Sequence, residues 1–232
     1  MTQKHNVKVF VVGGSVGYVN PLLKSDKFVV DLVRDWEDAD ILWFTGGEDV
    51  DPAIYNAPVH PATGYSVRRS YQEDQLIKLS KGMGKLLVGT CRGHQQFHAS
   101  SGGILIQHTN RHAGSDHLVK DVRTGKVVGP VTSAHHQAVL ATEGVAMEIL
   151  LTTPEIVATT QQIGADNDKG FVEVPIGQEI EAAFWPSINA LGIQGHPEWM
   201  YKDDPVVEWF VDEIETRWLA TLAQRNENKQ AA

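Results

Sequence analysis

Unbroken apolar runs, rather than alternating ones, mark the first half of the chain. Residues 41–45 and 86–88 are β-branched or bulky throughout, 7–12 is so apart from Lys8, and 27–32 is a weaker run of the same kind. Such runs predict strands buried on both faces, the habit of a parallel sheet covered by helices. Between them, 70–81 carries Leu76, Ile77 and Leu79 at helical spacing, and the polar segment 94–101 is helix-compatible. Glycine pairs at 13–14, 46–47 and 102–103 punctuate the pattern. Residues 107–118, rich in His, Asn and Gly, read as a surface loop.

Beyond residue 118 the periodicity changes. Residues 119–151 read as strands and hairpins around an Arg123-Thr124-Gly125-Lys126 turn. Further strands are expected at 156–160, 171–174, 181–185 and 191–194, with a turn-rich stretch over 163–170. Asp204-Pro205 has the chemistry of a helix start. After it, Val207, Phe210, Val211, Ile214, Trp218 and Leu222 form one apolar face. The prediction is an α/β protein with a mostly parallel central sheet in three layers, and antiparallel strands added in the C-terminal half. With no repeat, linker or low-complexity segment, 1–225 is expected to form a single domain and 226–232 a frayed tail.

One stretch stands out chemically. Leu86-Leu87-Val88-Gly89-Thr90-Cys91-Arg92-Gly93-His94-Gln95 runs from an apolar strand through Gly-x-Cys-x-Gly into a helix. That is the layout of a nucleophile elbow. Cys91 would sit at the helix N-terminus, where backbone N–H groups and the helix dipole favour a thiolate. A small buried residue on a tight turn explains the same pattern equally well.

His196-Pro197-Glu198 follows another strand. In an extended segment residues two apart face one side, so Glu198 would orient the His196 ring, as the acid of a triad does. Strand ends of an open parallel sheet converge on one crevice. Backbone N–H groups at Gly46-Gly47, with that of Arg92, would then meet an oxyanion there. The acid follows the histidine, whereas an α/β-hydrolase has its acid first.

Composition narrows the field. A formal net charge of −9 repels phosphate backbones, so nucleic acid is not an expected partner. The single cysteine excludes an internal disulfide and suits a reducing compartment, giving a cytoplasmic expectation. No signal-peptide profile or membrane-spanning run is found. Asp49-Val50-Asp51-Pro52 reads as a turn with its own Asx bonds rather than a calcium loop. His94/His98 and His108/His112 are four apart, but with no natural third ligand they are not read as metal sites. No Walker-type phosphate loop is present.

The two signatures, Gly89 to Gln95 and Gly195-His196-Pro197-Glu198, resemble those of class I glutamine amidotransferases. Gly46 to Pro52 with Tyr55, Arg69 with Glu73, Gly102-Gly103, Ser133 to Gln137 and Ile180 to Ala182 are similar to the gamma-glutamyl hydrolase and gamma-glutamyl-GABA hydrolase branch. The likeness runs from about residue 7 to 200. It implies a flavodoxin-like fold and a Cys91-His196-Glu198 triad. It also implies an oxyanion hole from the Gly47 and Arg92 N–H groups, and substrate contacts from Gln95, Ser133, Ala134 and His135. Ser70 departs from the branch, which has aspartate there. Gly195, in place of a bulkier residue, is expected to widen the pocket.

The implied reaction is hydrolysis of a γ-glutamyl amide through a γ-glutamyl thioester, with neither metal nor organic cofactor. The alternative is a glutaminase subunit passing ammonia to a separate ligase or synthetase. Such a subunit and a second copy of the chain are the candidate macromolecular partners.

Overall fold

A computed structural model describes residues 4–166 and 170–231. Its strands are β1 (His5–Val12), β2 (Phe28–Leu32), β3 (Ile41–Phe44), β4 (Leu86–Thr90), β5 (Leu105–Ile106), β6 (His108–Thr109), β7 (His117–Asp121), β8 (Val127–Val131), β9 (Ala138–Val139), β10 (Glu148–Thr152), β11 (Gln161–Asp166), β12 (Gly170–Glu173), β13 (Ile180–Trp185) and β14 (Ala190–Ile193). The α-helices are α1 (Asn20–Leu23), α2 (Val67–Ser80), α3 (Arg92–Ser100) and α4 (Pro205–Ala231).

Nine strands form the central sheet in the order β2-β1-β3-β4-β14-β13-β10-β7-β8. The five from β2 to β14 pair parallel. Their order is that of a flavodoxin-like sheet, and the ligand crevice of such a sheet lies outside the carboxyl ends of the strands. The remaining strands are antiparallel, so the change of periodicity after residue 118 marks the change of sheet type. Two small sheets, β12-β11-β6 and β5-β9, lie apart from it.

Two apolar clusters cover the sheet. One packs Val9, Trp43, Val88 and Leu191 against Phe210, Ile214 and Trp218 of α4. The other packs Leu42, Phe44 and Leu87 with Ile77 of α2 and Phe97 of α3. The unbroken apolar runs of β3 and β4 thus follow from helices on both faces. Gly93 explains how α3 comes so close: a Cβ there would stand 2.4 Å from the Phe44 carbonyl oxygen.

Several expectations differ from the structure. Residues 107–118 are not a surface loop, because Gln107, Thr109, His112 and His117 are buried and both β6 and the start of β7 fall within the segment. Residues 156–160 form no strand; the backbone N–H groups of Val157 and Ala158 bond the Glu179 carboxylate instead of a ladder. Residues 163–166 of the expected turn belong to strand β11, and Gly170 opens β12, which pairs with it; 167–169 lie outside the described residues. α4 runs through Asn226 to Ala231, where fraying is expected. Asp204 holds the expected cap position before Pro205, its carbonyl accepting from Glu208, while its carboxylate accepts from the Tyr201 N–H.

α2 shows why its apolar residues misled. Leu79 is exposed, while Ser70, Glu73, Asp74, Ile77 and Ser80 are buried. Its inward face is mainly polar because it serves buried charges at the candidate site.

Candidate active site

The carboxyl ends of β3, β4 and β14 bring the three singled-out stretches together. Cys91 follows β4 directly and caps α3, with φ 51° and ψ −104°, a strained backbone for a non-glycine residue. Its N–H bonds the Ile193 carbonyl at 2.8 Å, so the elbow is pinned to the neighbouring strand β14. Its sulfur is 3.7 Å from Gln194 Nε2.

His196 lies just beyond β14. Its Nδ1 stands 2.7 Å from Glu198 Oε1, and Cys91 is near enough to act on its ring electrostatically. Residues Pro197–Trp199 form a 3-10 turn rather than the extended segment expected, and the tight turn still brings carboxylate to imidazole. Burial alone would push the His196 pKa down. Interaction with Glu198 and Cys91, including the charges of both, outweighs burial and raises it to about 9. Trp199 stacks on the ring, with centroids 3.9 Å apart and planes 5° from parallel. The ring of Tyr18, from the turn after Gly13-Gly14, lies 6.4 Å from that of His196.

The Gly46-Gly47 loop is held by Arg69 at the start of α2. The Arg69 guanidinium donates to the carbonyls of Thr45 at 3.2 Å and Gly46 at 3.0 Å. It also pairs with Glu48 and Glu73, each at 2.7 Å. Gly47 has φ +141°, and a Cβ there would stand 2.3 Å from Arg69 Nη1. Gly47 itself lines the cavity beside Cys91. Arg92 opens α3, so its N–H has no carbonyl a turn earlier to bond. The Arg92 side chain is buried on the opposite side, paired with Glu73 and bonded to Ser70 Oγ at 3.0 Å. Ser70 Oγ also accepts from the Asp51 N–H at 3.0 Å. One serine hydroxyl thus accepts from both neighbours at the position where aspartate was expected.

A cavity of about 290 Å³ opens beside Cys91, lined by Gly47, Glu48, Asp49, Gln95, His135 and His136 among others. Gln95 Nε2 donates to the Gln137 carbonyl at 3.1 Å and to Gln194 Oε1 at 3.2 Å, which fixes the wall. Ala134 and His135 also line it. Ser133 turns away, its hydroxyl donating to the His112 carbonyl at 2.6 Å. Gly195 does not widen this pocket: a Cβ there would meet Val131 Cγ2 at 2.2 Å, so Val131 occupies the space.

Asp51 behaves as the expected turn residue, accepting from the Ala53 N–H at 3.0 Å. Asp49 does not: it reaches across to accept from the Gly64 N–H at 2.8 Å and pairs with His136. His94 and His98 form no ligand pair. Both are buried and lowered by that burial, to about 3 and about 4, and they pack against Trp185. His108 stacks on His60, whereas His112 belongs to another cluster, with His117, His135 and Glu181. Sequence reasoning left that cluster unassigned.

The Peptidase C26 family model matches residues 2–198. A Mycobacterium tuberculosis protein assigned as a glutamine amidotransferase is 31% identical over 146 residues, which are 55% of this chain and 47% of that protein. The carbamoyl phosphate synthase small chain of Staphylococcus haemolyticus is 44% identical over 62 residues, 26% of this chain and 16% of the relative. The chain thus spans less than half the length of these curated relatives. The crystal structure of a glutamine amidotransferase from Thermotoga maritima has the same fold, with TM-score 0.56 at 14% identity, covering 98% of this chain and 93% of that one.

The fold and these matches define a class I glutamine amidotransferase-like protein. Within that class, the chain belongs to the Peptidase C26 family.

Proposed function

We propose that this chain hydrolyses a γ-glutamyl amide bond, in glutamine or a γ-glutamyl-amine, with Cys91 as nucleophile. The observation that carries the reading is a strained cysteine at the end of β4, near an imidazole just beyond β14 that a carboxylate holds at 2.7 Å. The Cys91 sulfur attacks the γ-carbonyl carbon. The Gly47 and Arg92 N–H groups receive the oxyanion, each such donor being worth roughly 3 kcal/mol. His196, protonated at neutral pH beside a Cys91 that attacks as the thiolate, gives its proton to the leaving nitrogen, and the γ-glutamyl thioester remains. His196 then takes a proton from water as that water attacks the thioester, which releases glutamate and returns the sulfur as the thiolate beside protonated His196. Glu198 fixes the tautomer throughout. Gln95, Ala134 and His135 shape the glutamyl pocket; Ser133 acts by bracing the wall behind it.

A second reading keeps the chemistry and changes the fate of the nitrogen. The similarity to a carbamoyl phosphate synthase small chain favours a glutaminase subunit that delivers ammonia to a separate ligase or synthetase. Amine and ammonia release from a panel of γ-glutamyl compounds separates the two. Turnover of γ-glutamyl-amines by the chain alone supports the hydrolase. Glutamine turnover that appears only with a synthetase partner supports the subunit. No release under either condition overturns both.

A further inference from the structure

Behind the wall of the glutamyl pocket lies a buried group of side chains that the proposed reaction does not use. His112, His117 and Glu181 each offer one donor atom, and these atoms lie within 4.8 Å of one another. All three residues are more than nine-tenths buried. His135 adjoins them, its ring 4.7 Å from that of His112.

The hydrogen bonds decide which ring nitrogens carry protons. The Glu179 carboxylate accepts from Thr153 Oγ1, from the N–H groups of Val157 and Ala158, and from His112 Nε2, all between 2.7 and 2.8 Å. The Nε2 proton of His112 is therefore committed, and Nδ1 presents a bare lone pair with no partner. His135 Nδ1 lies 2.8 Å from the Gln137 carbonyl and must carry the proton, which leaves Nε2 bare and without a partner as well. His117 Nε2 is 3.1 Å from Glu181 Oε1 but off the line of a hydrogen bond, and the other Glu181 oxygen has no partner. Bare imidazole lone pairs beside a carboxylate, all removed from water, lack one thing, a cation that accepts them.

The backbone is shaped for this arrangement. Leu151 pairs with Ala182 and Thr152 with Ile180, so Glu181 is the extra residue of a β-bulge in β13. Bulges re-aim single side chains and gather near functional sites. Glu179 stands to His112 as outer-shell carboxylates stand to metal-bound histidines, taking the ring's other N–H. Ligand atoms of a tetrahedral zinc ion, at about 2.0–2.1 Å from the metal, lie roughly 3.3 Å apart, close to the His117–Glu181 spacing.

We propose that His112, His117 and Glu181 bind one divalent transition-metal ion of the zinc class, with a water molecule as the fourth donor. Imidazole-rich donors suit zinc or cobalt, not magnesium or calcium. The ion's place is structural. It would fasten the 107–118 segment to β13 beside His135, and so brace one wall of the pocket that opens on Cys91. Glu181 also ties to that centre through its carbonyl, which accepts from Gln194 N–H at 2.7 Å.

The test uses full-length protein purified without a histidine tag, stripped by chelator and titrated with Co2+. The expected result is one equivalent bound, with the intense visible absorption of tetrahedral cobalt, a raised melting temperature and competition by Zn2+ but not Mg2+. His117→Ala is expected to abolish the band, and Glu179→Gln to weaken binding roughly 10- to 100-fold. Wild-type protein that binds no stoichiometric Co2+ or Zn2+ overturns the proposal without need of any variant. So does a cobalt band unchanged in His117→Ala protein whose far-UV circular dichroism is native.

Discussion

His196 Nδ1 lies 2.7 Å from Glu198 Oε1, and the two residues are joined by a 3-10 turn rather than a strand. The pair makes the site's proton chemistry testable. With its pKa raised to about 9, His196 stays protonated across the neutral range and can serve as the general acid. In the proposed mechanism kcat/KM therefore falls as pH rises through about 9. Glu198→Gln removes one of the bonds that hold the proton, so this limb moves down toward the ordinary value of 6.5. kcat is expected to drop by roughly 10²- to 10⁴-fold, the scale seen when a triad acid loses its charge. A pH–rate profile of wild type and variant checks both outcomes.

The same shift bears on stability. A group whose pKa is higher folded than unfolded makes the native state bind more protons than the unfolded chain between the two values. The contribution of His196 is complete below pH 6.5 and is lost as pH rises through about 9. Asp121 acts at the other end. Burial would raise its carboxyl, but bonds from Arg123, Trp209 and the backbone lower it to about 2. Its contribution is present above 3.8 and fades as pH falls through about 2. Denaturant titrations of wild type and Asp121→Asn protein should therefore converge at low pH and separate above pH 4.

Arg69 is the positioning residue for the glycine loop. It touches no reacting atom, yet it bonds the carbonyls of Thr45 and Gly46 on either side of the turn. Arg69→Met should free the loop and displace the Gly47 N–H. One oxyanion donor is worth about 10²- to 10³-fold in kcat, so a loss of that order or somewhat less is expected, with KM little changed. Steady-state kinetics supply the kcat-against-KM split. A rise in KM alone would place Arg69 in substrate binding instead.

Trp199 is 59% exposed, so little core packing depends on it. Its stack on His196 is nonetheless close and nearly parallel. Such contacts contribute about 0.5–1.5 kcal/mol, so Trp199→Ala should lower kcat/KM roughly three- to tenfold. The melting temperature should stay close to wild type.

Much of this was legible in the chain. The strand–glycine–cysteine–glycine–helix sequence has one compact solution, because a Cβ at Gly93 would collide with Phe44. The apolar runs of β1, β3 and β4 signalled a covered parallel sheet. What escaped notice was polar burial. The inward face of α2 carries Ser70 and Glu73 because Arg92 needs them, and that need exists only once α2 and α3 are packed. The histidines at 112 and 117 read as surface for the same reason. Their partners, Glu179 and Glu181, lie more than sixty residues away, out of reach of any local pattern.

The most direct test is acid quenching during turnover of a γ-glutamyl amide, followed by peptide mass mapping. The account predicts a γ-glutamyl adduct on Cys91 alone, and no turnover by Cys91→Ala protein with a native circular dichroism spectrum. Full amide hydrolysis by Cys91→Ala, or an acyl group trapped on another residue, would contradict it.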